Sequence, residues 1–509
     1  MAARSSSPEG PGKPGQTAAD RPAAPLVTEK DKLRKNSVSL LGTVGIAVGP
    51  QAPTGGINLL PAIMAGIVAG AATLSFLLGL VAMIFVAYAF VIFARRIASA
   101  GQLYSYTGIG VSWSYGAVTG FSWMLAFITA AGWVSIQDGN YLVALFQPAG
   151  ITLPWLWMSA LMWLVMVVVT FRSLELSAIT VVVVEAIGVG LMFIVAAVVI
   201  VHGGYAGHGL SLHPFTTDGQ SFTTVTAGVV FAFTSFSGFE AAGALGEEAK
   251  RPKWAIPVAI FAALLISGSI YVFMTWVETV GSASPQVLAG QTTPLVTIAR
   301  QYIGTPMGTI MNVAALISGF GAQLACLAAA VRVLYALGRD GLGPRSRRGF
   351  IRLHRKFGTP IVPFTLASIV SGVIVFAFAW AGPLGSVTDL SSYGGDIEIL
   401  VYLLVVVAAV VFCWKHLRKL QHFIVLGIGV VVMGYIVKDT VYPIPPAPLN
   451  YSMYAAFGTF ALGILLLLAF PGMRRRMKAS EIFDPQQLQT ENAPARVGDD
   501  LNDHPRPRQ

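Results

Sequence analysis

The stretch FAFTSFSGFEAAGALGEEAKRPKWAIP, Phe231 to Pro257, decides how this chain is to be read. An apolar segment long enough to cross a bilayer is interrupted in its middle by Ser235, Ser237 and Gly238. A helix broken inside hydrocarbon frees amides and carbonyls whose burial without partners is costly, so a break is tolerated only where it faces protein, water or a ligand. The interruption therefore predicts a buried site.

The rest of the chain supplies the membrane. Of 509 residues 55% are hydrophobic and only 11% charged, and the mean hydropathy is +0.70, values that exclude an ordinary soluble protein of this length. A span needs roughly 20 apolar residues. Twelve are predicted, at 38–64, 68–94, 116–146, 153–171, 174–201, 223–246, 256–280, 306–337, 361–381, 393–414, 421–437 and 452–471. The net charge of +10 is a topology signal and no pointer to nucleic acid. With the amino terminus inside, 30 of the 33 Lys and Arg fall in the inner loops and tails, Arg332 sits at the inner end of the eighth span, and only Arg300 and Lys438 lie outside. The positive-inside rule then puts both termini in the cytoplasm. The tails, 1–36 and 479–509, are polar and proline-containing and are expected to be disordered; no cleavable signal peptide is visible before the first span. Cys326 and Cys413 lie far apart in apolar spans, which predicts neither a disulfide nor a metal site.

A second break sits in the first span, SLLGTVGIAVGPQAPTGGINLLPAIM. Two prolines and three glycines crowd into residues 49 to 56, too many for a regular helix to continue. Spans one and six start on opposite sides and are five helices apart. That is the pattern of an inverted repeat of five helices, with a site where the breaks meet near the midplane. The expected division is a first repeat over 37–222, a second over 223–414, and two further spans over 415–478.

The motifs GPQAPTGG (49–56), AGQLYSY (100–106), SGFEAAGALGEEAKRPKWAIP (237–257) and AAAVRVLYALGRDGLGP (328–344) resemble those of the amino acid, polyamine and organocation (APC) transporter superfamily. The resemblance covers spans one to nine and is specific for the family but not for a cargo. It implies an all-α, leucine-transporter-like fold of five plus five inverted helices with two more at the carboxyl end, and secondary active transport by alternating access.

An amino acid zwitterion needs donors for its carboxylate and acceptors for its ammonium, and a broken helix offers both. The amides of Thr54, Gly55 and Gly56 are the expected donors, at the start of the second half-helix. The carbonyls near Ala47 and Val48, and those near Phe233 and Thr234, are the expected acceptors. Gly55, Gly56 and Gly238 allow close approach of backbone and ligand. Among Phe231, Phe233, Phe236 and Phe239, the resemblance makes Phe236 the first choice for a lid. Ser235 and Ser237 either bind cargo or bond their own helix.

Ionisable residues in hydrocarbon are functional candidates. Glu185 lies about 16 Å along the fifth span from its inner end, and Glu240 follows the break in the sixth. With no Lys or Arg near mid-membrane to pair with them, Glu240 and, less directly, Glu185 either titrate and couple transport to protons or are neutral, hydrogen-bonded structural carboxyls. Asp138 and Glu278 fall at the outer surface by the same count, as solvated helix ends. Some proton-coupled members of the superfamily use a lysine on the fifth helix; here Gly188 stands about there. A sodium site would want paired hydroxyls on the eighth span, where only Ser318 is available. His202, His208 and His213 share an outer loop with spacing unsuited to a metal. Glu247, Glu248, Lys250, Arg251 and Lys253 could pair with the basic loop 339–356 as an inner gate. The expected function is import of an amino acid or related small amine across the plasma membrane, coupled to protons, with no cofactor and no enzymatic chemistry. A substrate exchanger, or a transport-dead receptor or auxiliary subunit, are the alternatives.

Overall fold

The computed structural model describes residues 38–97, 102–172, 178–207, 209–245, 249–342, 350, 352–444 and 449–478. Both expected disordered tails, Glu247 and Glu248 of the expected inner gate, residues 343–349 and 351 of its basic loop, and His208 lie outside them.

The described residues are helical throughout and hold no named strand. The chain opens with α1 (Leu40–Val48), α2 (Pro53–Ile57) and α3 (Leu60–Val68), and continues through α4 (Ala72–Ala94), α5 (Gln102–Gly110), α6 (Trp113–Phe146), α7 (Trp155–Arg172) and α8 (Ala178–Val201). Next come α9 (Phe222–Phe236), α10 (Pro252–Gly281), the short α11 (Pro285–Ala289) and α12 (Pro294–Tyr302), and α13 (Thr305–Leu337). The last are α14 (Ile361–Ala377), α15 (Gly382–His416), α16 (Leu420–Val441), α17 (Leu449–Ala469) and α18 (Pro471–Lys478).

Starts are written in the sequence. Ser39, Ser112, Ser221 and Ser284 each accept a backbone N–H three residues on, at 3.2, 3.3, 3.1 and 3.3 Å, satisfying a donor that the first turn cannot. Pro252, Pro285 and Pro294 open α10, α11 and α12, where a missing N–H costs nothing. Stops are written as clearly. After α1 the chain tightens to a 3₁₀ turn over Gly49–Gln51, and Ala52 turns left-handed at φ 37° before α2. After α9, Gly238 takes φ 106° and the chain resumes as a 3₁₀ helix, Phe239–Leu245.

The bundle is built around α6, which packs against α13, α15 and α7. Its most apolar window is 78% buried, against 22% for those of α7 and α16, so α6 is central and the other two are peripheral. Their outward faces carry exposed Leu161, Leu164 and Val168 on α7 and Ile424, Ile428 and Val431 on α16, a surface suited to lipid. Among the described residues ten helical stretches are long and apolar enough to cross a membrane, where twelve are expected. The first expected span is broken into α1, α2 and α3, none long enough alone, and α14 and α15 run as one stretch through a single 3₁₀ turn at Ala379–Ala381.

Two junctions close the ends of the broken segments. The Lys250 amide donates to the Val38 carbonyl at 2.9 Å, tying the start of α1 to the chain beyond the α9 break. Between α2 and α3, Asn58 Oδ1 accepts the Val296 amide at 3.1 Å, and Arg300 donates to the Ala144 carbonyl at 3.2 Å, so α12 lies against the first broken segment and the end of α6.

Candidate functional site

The two interruptions meet. A Cβ on Gly238 would lie 2.4 Å from the Cβ of Pro50, so only glycine fits there, for space as well as for its positive φ. Both breaks line one buried cavity: Pro50, Gln51, Ala52 and Gly56 from the first, Thr234, Ser235 and Ser237 from the second. The facing wall comes from Phe127, Trp133 and Gln137 of α6 and Tyr271 of α10, and it is closed by Cys326 of α13 and Glu398 of α15.

At the first break the freed backbone groups are largely engaged by the protein itself. The Thr54 amide and hydroxyl donate to Glu185 Oε2 at 3.4 and 3.0 Å. The Gly55 amide donates to Ser318 Oγ at 3.1 Å, and the Ser318 hydroxyl in turn donates to Glu185 Oε1. The Gly56 amide closes a turn on the Ala52 carbonyl at 2.8 Å. All three amides expected to await a cargo carboxylate thus have partners, and Glu185 links α8, α2 and α13 through one buried carboxylate. Carbonyls are held too: Tyr271 donates to Gln51 O at 2.9 Å and Tyr141 to Gly55 O at 2.6 Å. The Ala47 carbonyl accepts Gln51 Nε2 at 2.8 Å and that of Val48 accepts the Ala52 amide at 3.3 Å. A carbonyl has a second lone pair, whereas an amide has one hydrogen; the carbonyls of Ala47 and Val48 can still take a donor. Gly188 packs on this junction, where an added Cβ would lie 2.4 Å from Thr54 Oγ1.

At the second break Glu240 is buried, 1% exposed. Its two carboxyl oxygens share the Gly238 amide at 3.2 Å each, and Oε2 also accepts the Tyr402 hydroxyl at 3.3 Å. Ser235 bonds its own helix, donating to Phe231 O at 2.7 Å. Thr234 donates to Val230 O and Ser391 O at 3.2 and 3.3 Å, and the Phe233 carbonyl accepts the Ser237 amide at 2.9 Å. Phe236 is fully buried between Phe76 and Tyr271, with ring centroids 6.0 and 5.9 Å away, and it does not line the cavity. The aromatic faces that do are those of Phe127, Trp133 and Tyr271.

Of the site residues read from sequence, Gly56, Thr234 and Ser237 reach the cavity wall; Ala47, Val48, Thr54, Gly55, Phe233 and Gly238 stand behind it. The sequence reading missed Glu398, which is 4% exposed with Oε2 lacking a partner among the described residues. Asp138 and Glu278 require correction: they are no solvated helix ends. Both are 0% exposed and their carboxyl oxygens have no partner among the described residues. Counting rise along a straight helix put them at the outer surface, but packing between the helices buries both. Asp138 packs on α13, where a Cβ on Gly319 would meet its Oδ1 at 2.0 Å. Arg339 bonds its neighbour Asp340 at 3.2 Å, and the thiols of Cys326 and Cys413 are free. Among the described residues no group of three or more His, Cys, Asp or Glu is disposed to hold a metal.

The sequence pattern of a family described as amino acid permease matches residues 37–470. The chain is 28% identical over 319 residues to the low-affinity putrescine importer PlaP of Escherichia coli K12, covering 61% of this chain and 68% of that one. It is 26% identical to the methylthioribose transporter of Bacillus subtilis 168, covering 83% and 90%. It is 25% identical to the branched-chain amino acid permease BcaP of Lactococcus lactis subsp. cremoris MG1363, covering 72% and 82%.

Proposed function

The chain belongs to the amino acid permease family, and on that footing we propose that it imports an amino acid or related small amine, with protons, through the cavity between the two helix interruptions. It is a membrane transporter and not an enzyme. One observation carries the reading: both breaks line the same buried cavity, with Gly238 against Pro50. In a continuous helix the backbone is spent on itself; here two strands of irregular backbone border a space that aromatic and polar side chains finish, the arrangement in which a solute is held at mid-membrane.

The architecture that goes with it is twelve spans, five plus five inverted and two more, with repeats over 37–222 and 223–414 and the last pair over 415–478. Counting α1–α3 as one span and dividing the stretch Ile361–His416 at its 3₁₀ turn brings the ten long stretches to twelve. In this reading the membrane is the plasma membrane and both termini face the cytoplasm, the orientation that the distribution of Lys and Arg supports. Cargo contacts fall to Gly56, Thr234 and Ser237 at the wall, with the carbonyls of Ala47, Val48 and Phe233 behind them. Thr54 and Gly55 hold Glu185 and Ser318, Gly238 gives the close approach of the breaks, and Phe236 backs Tyr271.

Alternating access needs a junction that can let go. Glu185 bonds the first break and Ser318 at once, and charge-assisted hydrogen bonds of this kind are roughly twice as strong as neutral ones. Protonating Glu185 weakens the junction and frees α1 and α2 to move against α13; Glu240 stands in the same relation to the second break through Gly238 and Tyr402. Proton and cargo then travel together because each favours the released arrangement.

The test is uptake into proteoliposomes with and without an inside-alkaline gradient, for wild type, Glu185→Gln and Glu240→Gln. Gradient-driven accumulation in wild type, lost in the variants while exchange against internal cargo persists, is the expected result. Uptake driven only by internal cargo would make the protein an exchanger with structural glutamates. No uptake of any amine or amino acid would leave a receptor that keeps the fold.

A further inference from the structure

The polar groups of the cavity wall are unevenly spent. Three wall atoms are buried without a partner among the described residues: Gln51 Oε1, Gln137 Oε1 and Glu398 Oε2. All three are acceptors. The orientation of the Gln51 amide is set by its nitrogen, since Gln51 Nε2 donates to Ala47 O at 2.8 Å. Three of the wall's hydroxyl donors are committed to backbone carbonyls. Tyr271 gives its proton to Gln51 O, Ser235 to Phe231 O, and Thr234 to Val230 O and Ser391 O. Among the described residues no Lys, Arg or His lines the cavity.

The anion-binding half of the first break is filled as well. Thr54, Gly55 and Gly56 have given their amides to Glu185, Ser318 and Ala52. The protein's own carboxylate occupies the donors that a cargo carboxylate would need. A buried acceptor left unmet costs about 1–3 kcal/mol, and a buried carboxylate more; three together ask for a ligand rich in N–H. Phe127, Trp133 and Tyr271 add aromatic faces, which attract a cation and do nothing for an anion.

We infer that the cargo is an organic amine without a carboxylate, its ammonium seated against Glu398 and its remaining N–H groups shared by Gln51 and Gln137. The inference rests on the transporter reading above and narrows its substrate class. Glu398 is then a cargo-binding group separate from Glu185 and Glu240, which act on the helix breaks. An α-amino acid is disfavoured twice, because its carboxylate finds the amides taken and approaches a wall whose one charged group is negative.

Two matched pairs test this, each differing only by a carboxylate: 1,4-diaminobutane against ornithine, and 3-methylbutylamine against leucine. Initial uptake into proteoliposomes is measured for wild type, Glu398→Gln and Glu398→Asp. Wild type is expected to prefer each amine over its amino acid by about 100-fold in kcat/KM. Glu398→Gln raises KM for the amines about 30-fold with a smaller effect on kcat, and Glu398→Asp restores part of it. Equal or better uptake of ornithine or leucine by wild type overturns the inference while keeping the transporter, and that comparison stands even where a Glu398 variant does not fold. An unmoved amine KM in a folded Glu398→Gln overturns the seat at Glu398. Uptake of none of the four compounds by wild type defeats the transporter reading and the inference with it.

Discussion

Glu185 does at the first interruption what a bound anion would do, accepting from the Thr54 amide and hydroxyl and from Ser318. It lies a turn before Gly188, which packs on Thr54. Gly238 is the most constrained single residue. An alanine there would hold a φ of 106° and put a Cβ 2.4 Å from that of Pro50, so Gly238→Ala should destabilise the purified protein by at least about 2 kcal/mol and abolish uptake. Thermal unfolding in detergent checks the first part. Ala52 is the opposite case, an L-residue held at φ 37°. Ala52→Gly relieves about 1–2 kcal/mol of left-handed strain at an entropic cost of about 0.5–1 kcal/mol; a melting temperature raised by a few degrees is the expected outcome. Residue-level reading of the sequence reached Glu185, Glu240 and the glycines because each stands beside a break or at a countable depth. It passed over Glu398 because that residue sits in a segment with no break to draw attention to it, although an ionisable group within an apolar span was signal enough. It misjudged Asp138 and Glu278 because their burial depends on packing between helices, which depth along one helix does not contain.

Among the elements, the two broken helices were legible and their neighbours were not. Proline, glycine and serine in the middle of apolar runs are local facts about backbone hydrogen bonding. Which helices supply the facing wall is a matter of packing, and so Phe127, Trp133 and Gln137 of α6 and Tyr271 of α10 came only with the structure. Tyr271 also works as a wedge. Its hydroxyl bonds Gln51 O at 2.9 Å and fills the place that a side chain at Gly56 would take, 1.8 Å from an added Cβ. Tyr271→Phe loses that bond, worth about 1 kcal/mol, and loosens the turn between α1 and α2. Uptake assays should find KM raised about five- to tenfold with the gradient dependence kept, because Glu185 and Glu240 are untouched.

For the molecule as a whole, the charge distribution and the twelve apolar runs predicted an all-helical membrane bundle, and α6 at its centre with α7 and α16 outside is how that bundle is filled. Among the described residues ten stretches are long and apolar enough to cross; the first expected span is broken, and a 3₁₀ turn joins two of the expected spans into one stretch. Fluorescent protein fused to either terminus should be bright in intact cells, and alkaline phosphatase at either terminus inactive, as cytoplasmic termini require; one active phosphatase fusion would refute the even number of spans. The central claim is that cargo passes through the space where the two breaks meet. Cys326 lines that space and Cys413 does not, so in a Cys413→Ser protein Cys326 is the sole thiol. The measurement is the rate at which a small thiol reagent modifies Cys326 in proteoliposomes that are transporting, with and without saturating cargo. Cargo should slow the reaction about tenfold or more; an unchanged rate while transport continues would contradict the account.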